Sequence, residues 1–259
     1  MKTTLADFEG IAYPLEEFLD KLGILHTKLH HERFATEKAA LMTFLPEVAR
    51  LHAPIRVARR QEAPRYNLFH VLKIRHYEAR VHTPFLVNLL SPKGSHAQGD
   101  LFYKAFLQCV LTKEKDKKFH QFERLEVTDE KHAGEGLGFI DIWIRNHAHL
   151  GRYCIIIENK IYAEDQEKQL QRYYEYAQQL GFTKENIRLF YLTLRPTRSA
   201  DDYTISPALR RELEEDHVLR YISYQEDILP WLRGVMNEVQ SAKVKMIIQQ
   251  YMSTIYSLF

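Results

Sequence analysis

Two acids and one lysine stand where strand-forming sequence ordinarily excludes them. Asp141 lies between Ile140 and Ile142, and Glu158 ends the apolar run Cys154-Ile155-Ile156-Ile157, with Lys160 two positions further on. Acids are depleted in strands and are rarely buried unless something compensates their charge. Because a strand repeats every two residues, Glu158 and Lys160 point to one face. If the hairpin between the two segments pairs as its turn suggests, Asp141 approaches Glu158 across the sheet, and two carboxylates converge beside one ammonium. Such a pair repels and attracts a cation, and hard oxygen ligands suit Mg2+ or Mn2+, which are held by one or two carboxylates together with water and phosphate oxygens. The backbone carbonyl of Asn159 is placed to complete that shell. A metal there polarises a phosphoryl oxygen and acidifies a bound water, while a nearby lysine orients the water or stabilises charge on the phosphate. The expected chemistry is phosphodiester hydrolysis, with Asp141, Glu158 and Lys160 catalytic and Asp141, Glu158 and Asn159 holding the metal. The competing reading is a core ion pair, which fits a trio less well because buried pairs stabilise less than apolar packing.

The elements that must position these residues follow from periodicity. Residues 1–66 read as a helical extension, with Leu5 to Leu22 and Leu25 to Leu51 carrying apolar residues at mixed three and four spacings, and Pro14, Gly23, Pro46 and Pro54 as punctuation. Residues 67–259 form the second domain. A helix is expected from Asn67 to about Val81, placing Glu78 near its end. Thr83-Pro84 reads as an N-cap and first helical residue for the next helix, through Leu90. Leu101 to Leu111 reads as helix and Lys113 to Lys118 as an exposed charged connector. The period then changes. Phe122 to Val127, Phe139 to Arg145 and Tyr153 to Glu158 have strand composition, the last nearly all apolar as for a strand buried on both faces. They should form an antiparallel meander, its first turn carried by Gly134-Glu-Gly-Leu-Gly138. Glu164 to Leu180 is strongly helical with Gly181 as C-cap, and joins the meander to a strand at Ile187 to Leu194, so the sheet is expected to be mixed. A further strand, Val218 to Tyr224, precedes helices at Asp227 to Val239 and Ala242 to Leu258.

Composition sets outer bounds. The 259 residues carry a net charge of +2 and are 45% hydrophobic and 27% charged, as for an ordinary globular protein. No apolar run approaches the roughly 20 residues that span a bilayer, and the N-terminus lacks a basic start followed by an apolar core, so a cytoplasmic location is expected. Cys109 and Cys154 read as core thiols in a helix and a buried strand. His147 and His149 form a turn pair without a third zinc ligand, and His96 reads as a loop-capping residue. Charge is uneven: Arg50, Arg56, Arg59, Arg60, Arg65, Lys73, Arg75 and Arg80 face only Glu62 and Glu78 in that stretch. Such a patch suits a phosphate backbone, although a solvated helical face would look the same.

With these residues assembled, a family resemblance is legible. Asp141, sixteen intervening residues and Glu158-Asn159-Lys160 resemble the motif of the PD-(D/E)XK nuclease superfamily, whose core is a helix, a three-stranded meander, a crossover helix and a further strand. Ile155 to Ile161 followed by Asp165-Gln166-Glu-Lys-Gln169-Leu170-Gln-Arg-Tyr173 is similar to a bacterial branch that includes defence-associated proteins. Asn67-Leu-Phe69, Glu78 with His82-Thr83, the Leu89-Leu90-Ser-Pro loop with His96, and Tyr221 to Ile228 extend the likeness from Asn67 to about Leu232. The expected fold is therefore α/β, a restriction-endonuclease-like core (α-βββ-α-β) with a mixed central sheet, flanking helices and the N-terminal extension. The resemblance implies that Glu78 joins the centre as a further metal or water ligand, against the plain alternative of a solvated helix-end acid. Gln169 and Tyr173, four apart on one helical face, resemble the Gln-xxx-Tyr element of RecB-like nucleases, and with Gln166 they are implied to bind substrate. Ile140 replaces the proline of the motif name, and Phe139 stands where the branch usually has arginine, which removes a phosphate or structural contact.

Read together, these features imply a Mg2+- or Mn2+-dependent nuclease acting on nucleic acid, DNA before RNA, without a membrane partner and with a homodimer as an open form. The alternative is a nuclease fold without turnover that binds nucleic acid or a partner protein in a defence or repair system.

Overall fold

The structure, a computed structural model, describes residues 6–63, 66–111, 114–120, 124–132, 138–147 and 152–259, with side chains from residue 17 onward except at 52, 55, 56, 58–62, 114, 115 and 130–132. Five strands form its sheet: β1 (Leu125–His132), β2 (Phe139–Asn146), β3 (Tyr153–Lys160), β4 (Ile187–Thr193) and β5 (Leu219–Ser223), in spatial order β1-β2-β3-β4-β5. The first three make the expected antiparallel meander, and β3-β4 and β4-β5 are parallel, so the sheet is mixed. Every residue of β3 and β4 is buried, which explains their unbroken apolar composition: parallel strands in the middle of a sheet are covered on both faces.

Helices supply those covers. On one face Ile142, Ile144, Ile155, Ile157, Phe190 and Leu192 pack with α3 (Thr83–Leu90), α4 (Leu101–Val110), α7 (Leu229–Val235) and α8 (Ala242–Tyr256). On the other, Trp143, Cys154, Ile156, Leu189 and Tyr191 pack with α5 (Gln169–Gln179) and α6 (Pro207–Glu215). Leu170, Tyr173, Tyr174 and Ala177 of α5 are its buried apolar residues, spaced three and four apart as one helical stripe requires. Gly181 ends this helix as expected, at φ +82°, with its N–H donating to the Gln178 carbonyl at 2.8 Å. The result is the restriction-endonuclease-like α/β architecture expected from the sequence.

Several local expectations need correction. The extension is one 57-residue helix, α1 (Ala6–Glu62), rather than helices divided at Pro14, Gly23, Pro46 and Pro54. Helix-forming residues on both sides carry it across these points, where each proline removes a single backbone hydrogen bond. The helix expected from Asn67 to Val81 is a single turn, α2 (Leu68–Val71), capped by the Asn67 side chain. Lys73 then takes φ +56° and breaks it, and Glu78 starts a π-helical turn, Glu78–His82, instead of ending a helix. That turn runs directly into α3, so Thr83 is helical and not an N-cap. The first strand starts at Leu125; Phe122 and the turn at 133–137 lie outside the described residues, as does His149. α5 is shorter than expected, since Lys168 at φ +50° holds off the helix until Gln169. Helix α6 was not expected at all, although Ser206-Pro207 carries a start signal.

The connector at Lys113 to Lys118 is likewise not simply exposed. It contains a 3-10 turn, Glu114–His120, in which Asp116 and Phe119 are fully buried. Arg188 of β4 and Arg220 of β5 each donate to the Asp116 carboxylate, at 2.7 Å from their Nη2 atoms, and balance its charge. His96 does cap its loop, with Nε2 at 3.0 Å from the Ser91 carbonyl and Nδ1 accepting from the Gln98 N–H. Cys109 is half-buried and Cys154 buried, and both are free thiols. No described helix is long and apolar enough to cross a membrane. The chain divides into two compact units, residues 1–66 and 67–259.

Candidate active site

The backbone ladder between β2 and β3 reaches Ile142 opposite Ile157, which sets Asp141 opposite Glu158 at the next position. There a side chain takes over from the backbone: Asp141 Oδ2 accepts the Asn159 N–H at 2.8 Å. The two strands thus open around a carboxylate. Glu158 and Lys160 share the α5 face by the strand period and meet directly, with Lys160 Nζ 2.9 Å from Glu158 Oε1 and both side chains almost wholly buried. Lys160 also donates to the Glu164 carbonyl at 3.0 Å and lies 4.0 Å from Asp165 Oδ1.

Burial first, and the neighbouring Asp141 charge second, push the Glu158 carboxyl well above its ordinary value; Lys160 opposes the shift without cancelling it. The Glu78 charge adds to it. Glu158 Oε2 is one of three buried side-chain atoms among the described residues with no hydrogen-bond partner, the others being Thr128 Oγ1 and Trp143 Nε1. An unsatisfied carboxylate oxygen costs too much to bury without a ligand or a proton.

Asn159 alternates to the other face, where it anchors the strand end. Its Nδ2 donates to Thr83 Oγ1 and its Oδ1 accepts from the Tyr224 hydroxyl, each at 3.1 Å. Glu78 Oε2 accepts the backbone N–H groups of Ile161 and Tyr162, the latter at 3.1 Å, so it clamps the chain where it leaves β3. It is half-buried and thus differs from a solvated helix-end acid.

Gln169 and Tyr173 lie beside the centre and bind each other: Gln169 Nε2 donates to the Tyr173 hydroxyl at 3.0 Å, and that hydroxyl donates to the Phe139 carbonyl. Both are buried. Burial first, then the Glu158 charge and after it the Asp141 charge, raise the Tyr173 phenol above its ordinary range. Gln166 sits in the loop before α5, near Gly138, which enters β2 at φ +81°. The structure therefore gathers Asp141, Glu158, Asn159 and Lys160 at one end of β2 and β3, with Glu78, Gln169, Tyr173 and Gln166 around them.

Sequence reasoning passed over Asp165 as a site residue, although it stands in the quoted motif. Its carboxylate accepts the Tyr191 hydroxyl at 2.8 Å, lies 3.6 Å from Arg198 Nη2, and flanks Lys160. Thr83 and Tyr224 stand in quoted motifs, but their grip on Asn159 comes only from tertiary contacts, and Tyr191 and Arg198 have no local signal at all. Of the basic stretch, Arg50 pairs with Glu47 at 2.7 Å and Lys73, Arg75 and Arg80 are exposed, whereas the side chains at 56, 59 and 60 and all of Arg65 lie outside the described residues.

Among the described residues no group of three or more His, Cys, Asp or Glu side chains gathers as a metal site. The donor set still fits a hard cation that keeps water and phosphate oxygens, since two opposed carboxylates meet there and one presents a buried, unpartnered oxygen. A separate cavity of about 770 Å³ between α3, α8 and the loop at 95–98 has Phe85, Leu89, Val244 and Ile248 in its lining and none of the carboxylates.

Comparison with curated proteins and with solved structures gives no match. A family model described as the PD-(D/E)XK nuclease superfamily matches residues 66–253, a span that holds all five strands and every residue of the carboxylate centre. The chain belongs to the PD-(D/E)XK nuclease superfamily.

Proposed function

We propose that the protein hydrolyses phosphodiester bonds of nucleic acid, DNA before RNA, at Asp141, Glu158 and Lys160. The observation that carries this reading is the Glu158 carboxylate, buried with one oxygen on Lys160 and the other unpartnered, opposite a second carboxylate. Core packing alone gives no reason for that arrangement.

Asp141, Glu158 and the Asn159 carbonyl would hold Mg2+ or Mn2+. When bound, the ion supplies Lewis acidity to the scissile phosphate and to an attacking water. The residues of the chain do the positioning. Lys160 has three N–H groups, of which Glu158 and the Glu164 carbonyl take two. The third is left to orient the water or to meet charge gathering on the phosphate as the phosphorus–oxygen bond breaks. Asp165, fixed by Tyr191, keeps the ammonium in place. Glu78 holds the strand end, and Gln169 with Tyr173 braces the start of β2.

Incubation of the full-length protein with plasmid and linear DNA, in Mg2+, Mn2+ or EDTA, tests the reading. Cleavage should need the metal and fall by about 100-fold or more in Asp141→Ala and in Lys160→Ala. Unchanged cleavage in either variant removes the proposal. Binding without turnover is the second reading, favoured by the lack of a three-acid metal cluster among the described residues. It predicts salt-dependent binding with no metal-dependent cleavage.

A further inference from the structure

The segment that leads into Glu78 joins cationic and aromatic side chains at the edge of the carboxylate centre. Lys73, Arg75 and Arg80 are exposed, and each is a cation with no carboxylate partner among the described residues. Lys73 and Arg75, with His70 and His76, line a recess of about 390 Å³. Tyr77 follows, 45% exposed, its ring against His76 at 4.5 Å between centroids. Tyr162 is 56% exposed and is brought to the same place by its N–H, which donates to Glu78 Oε2 at 3.1 Å. It stands two residues beyond Lys160. Two exposed tyrosines are therefore tied to one carboxylate, Tyr77 as the residue before Glu78 and Tyr162 through its backbone N–H, and the Tyr77 ring adjoins His76 of the recess that Lys73 and Arg75 line.

Cations alone would serve any phosphate backbone, paired or unpaired. Exposed rings are different, because a ring can stack only on a base whose face is open, and a duplex keeps its base faces covered. Solvent exposure of two tyrosines also costs burial that the fold leaves unused. From the rings and the cations together we infer that the site takes single-stranded nucleic acid, with Tyr77 and Tyr162 stacking bases beside the scissile phosphate and Lys73 and Arg75 carrying the adjoining backbone. This inference rests on the proposed nuclease reading for the location of the scissile phosphate, but the binding surface is tested without turnover.

The test is fluorescence anisotropy of the full-length protein with a labelled single-stranded DNA oligonucleotide, its RNA counterpart and the matching DNA duplex, in EDTA so that nothing is cut. Single strands should bind at least about tenfold more tightly than duplex. Tyr77→Ala and Tyr162→Ala should each weaken single-strand binding by at least about fivefold, while Tyr162→Phe, which keeps the ring, restores it. Lys73→Gln or Arg75→Gln should reduce the dependence of log affinity on log salt by about 0.7. Both tyrosines are exposed, so melting curves of the alanine variants should match the parent and separate lost stacking from lost folding. Equal affinity for the two strand states, or single-strand binding that ignores both alanine changes, overturns this inference and leaves the hydrolysis reading standing. Tyrosine-dependent single-strand binding with no metal-dependent cleavage of any substrate keeps the surface and removes the hydrolysis reading.

Discussion

Among the described carboxyl groups, Glu158 is held well above its ordinary value. The folded protein binds its proton more tightly than the unfolded chain does, because of burial and the opposing Asp141. The group's contribution to stability is therefore fully present below the unfolded value of about 4.3 and is lost as pH rises through the raised folded value. Thermal unfolding in EDTA should show this group as a stability that declines with rising pH, and addition of Mg2+ should offset the decline by drawing the ionised carboxylate to the cation. Cleavage should show the opposite limb, falling as pH falls, since only the ionised carboxylate holds a metal. Asp141→Asn removes the neighbouring charge, and carboxyl NMR should then place the Glu158 titration closer to the ordinary value of about 4.3. A titration unmoved by Asp141→Asn would mean that the two carboxylates are not coupled.

At the scale of elements, the site depends on where β2 and β3 part and on what holds the rest of the sheet together. The Asp141 side chain replaces the backbone ladder at Asn159, and Thr83 and Tyr224 grip the Asn159 side chain from the opposite face. Sheet and connector are joined elsewhere by Asp116, fully buried, with one carboxylate oxygen on Arg188 and the other on Arg220. Removing the acid leaves Arg188 buried and both arginines without their carboxylate. Asp116→Ala should therefore cost about 3–5 kcal/mol of unfolding free energy. At about 2–4 °C per kcal/mol for a domain of this size, a melting scan reads the loss directly. A variant that melts within a degree or so of the parent would show the ion pairs to be neutral to the fold.

For the whole molecule, the division at residue 66 separates two kinds of stability. All the buried apolar residues of both core clusters lie between Phe69 and Ile255, whereas nearly all the described large apolar side chains of α1, such as Phe18, Leu25, Phe34 and Met42, are exposed. A helix that buries no stripe of its own draws little stability from packing. We expect a chain of residues 66–259 to fold cooperatively alone, with a single thermal transition close in temperature to one in the full protein. A truncated chain that is unfolded by circular dichroism would show that the second unit needs the first.

Local sequence determined the meander, the site motif on it and the end of α5. A run such as Cys154 to Ile157 has one low-energy use, in a strand covered on both faces, and an acid at its end becomes conspicuous there. Gly181 at a left-handed position is legible for the same reason, since few other residues adopt it cheaply. What only tertiary structure decided were the partners: Glu78 on the Tyr162 amide 84 residues away, Asn159 on Thr83 at a separation of 76, and Asp116 on Arg188 at 72. Periodicity encodes which face a residue takes along its own element, whereas these contacts arise when two elements pack. That is also why a charged connector reads as solvated until two arginines from β4 and β5 arrive to bury its acid.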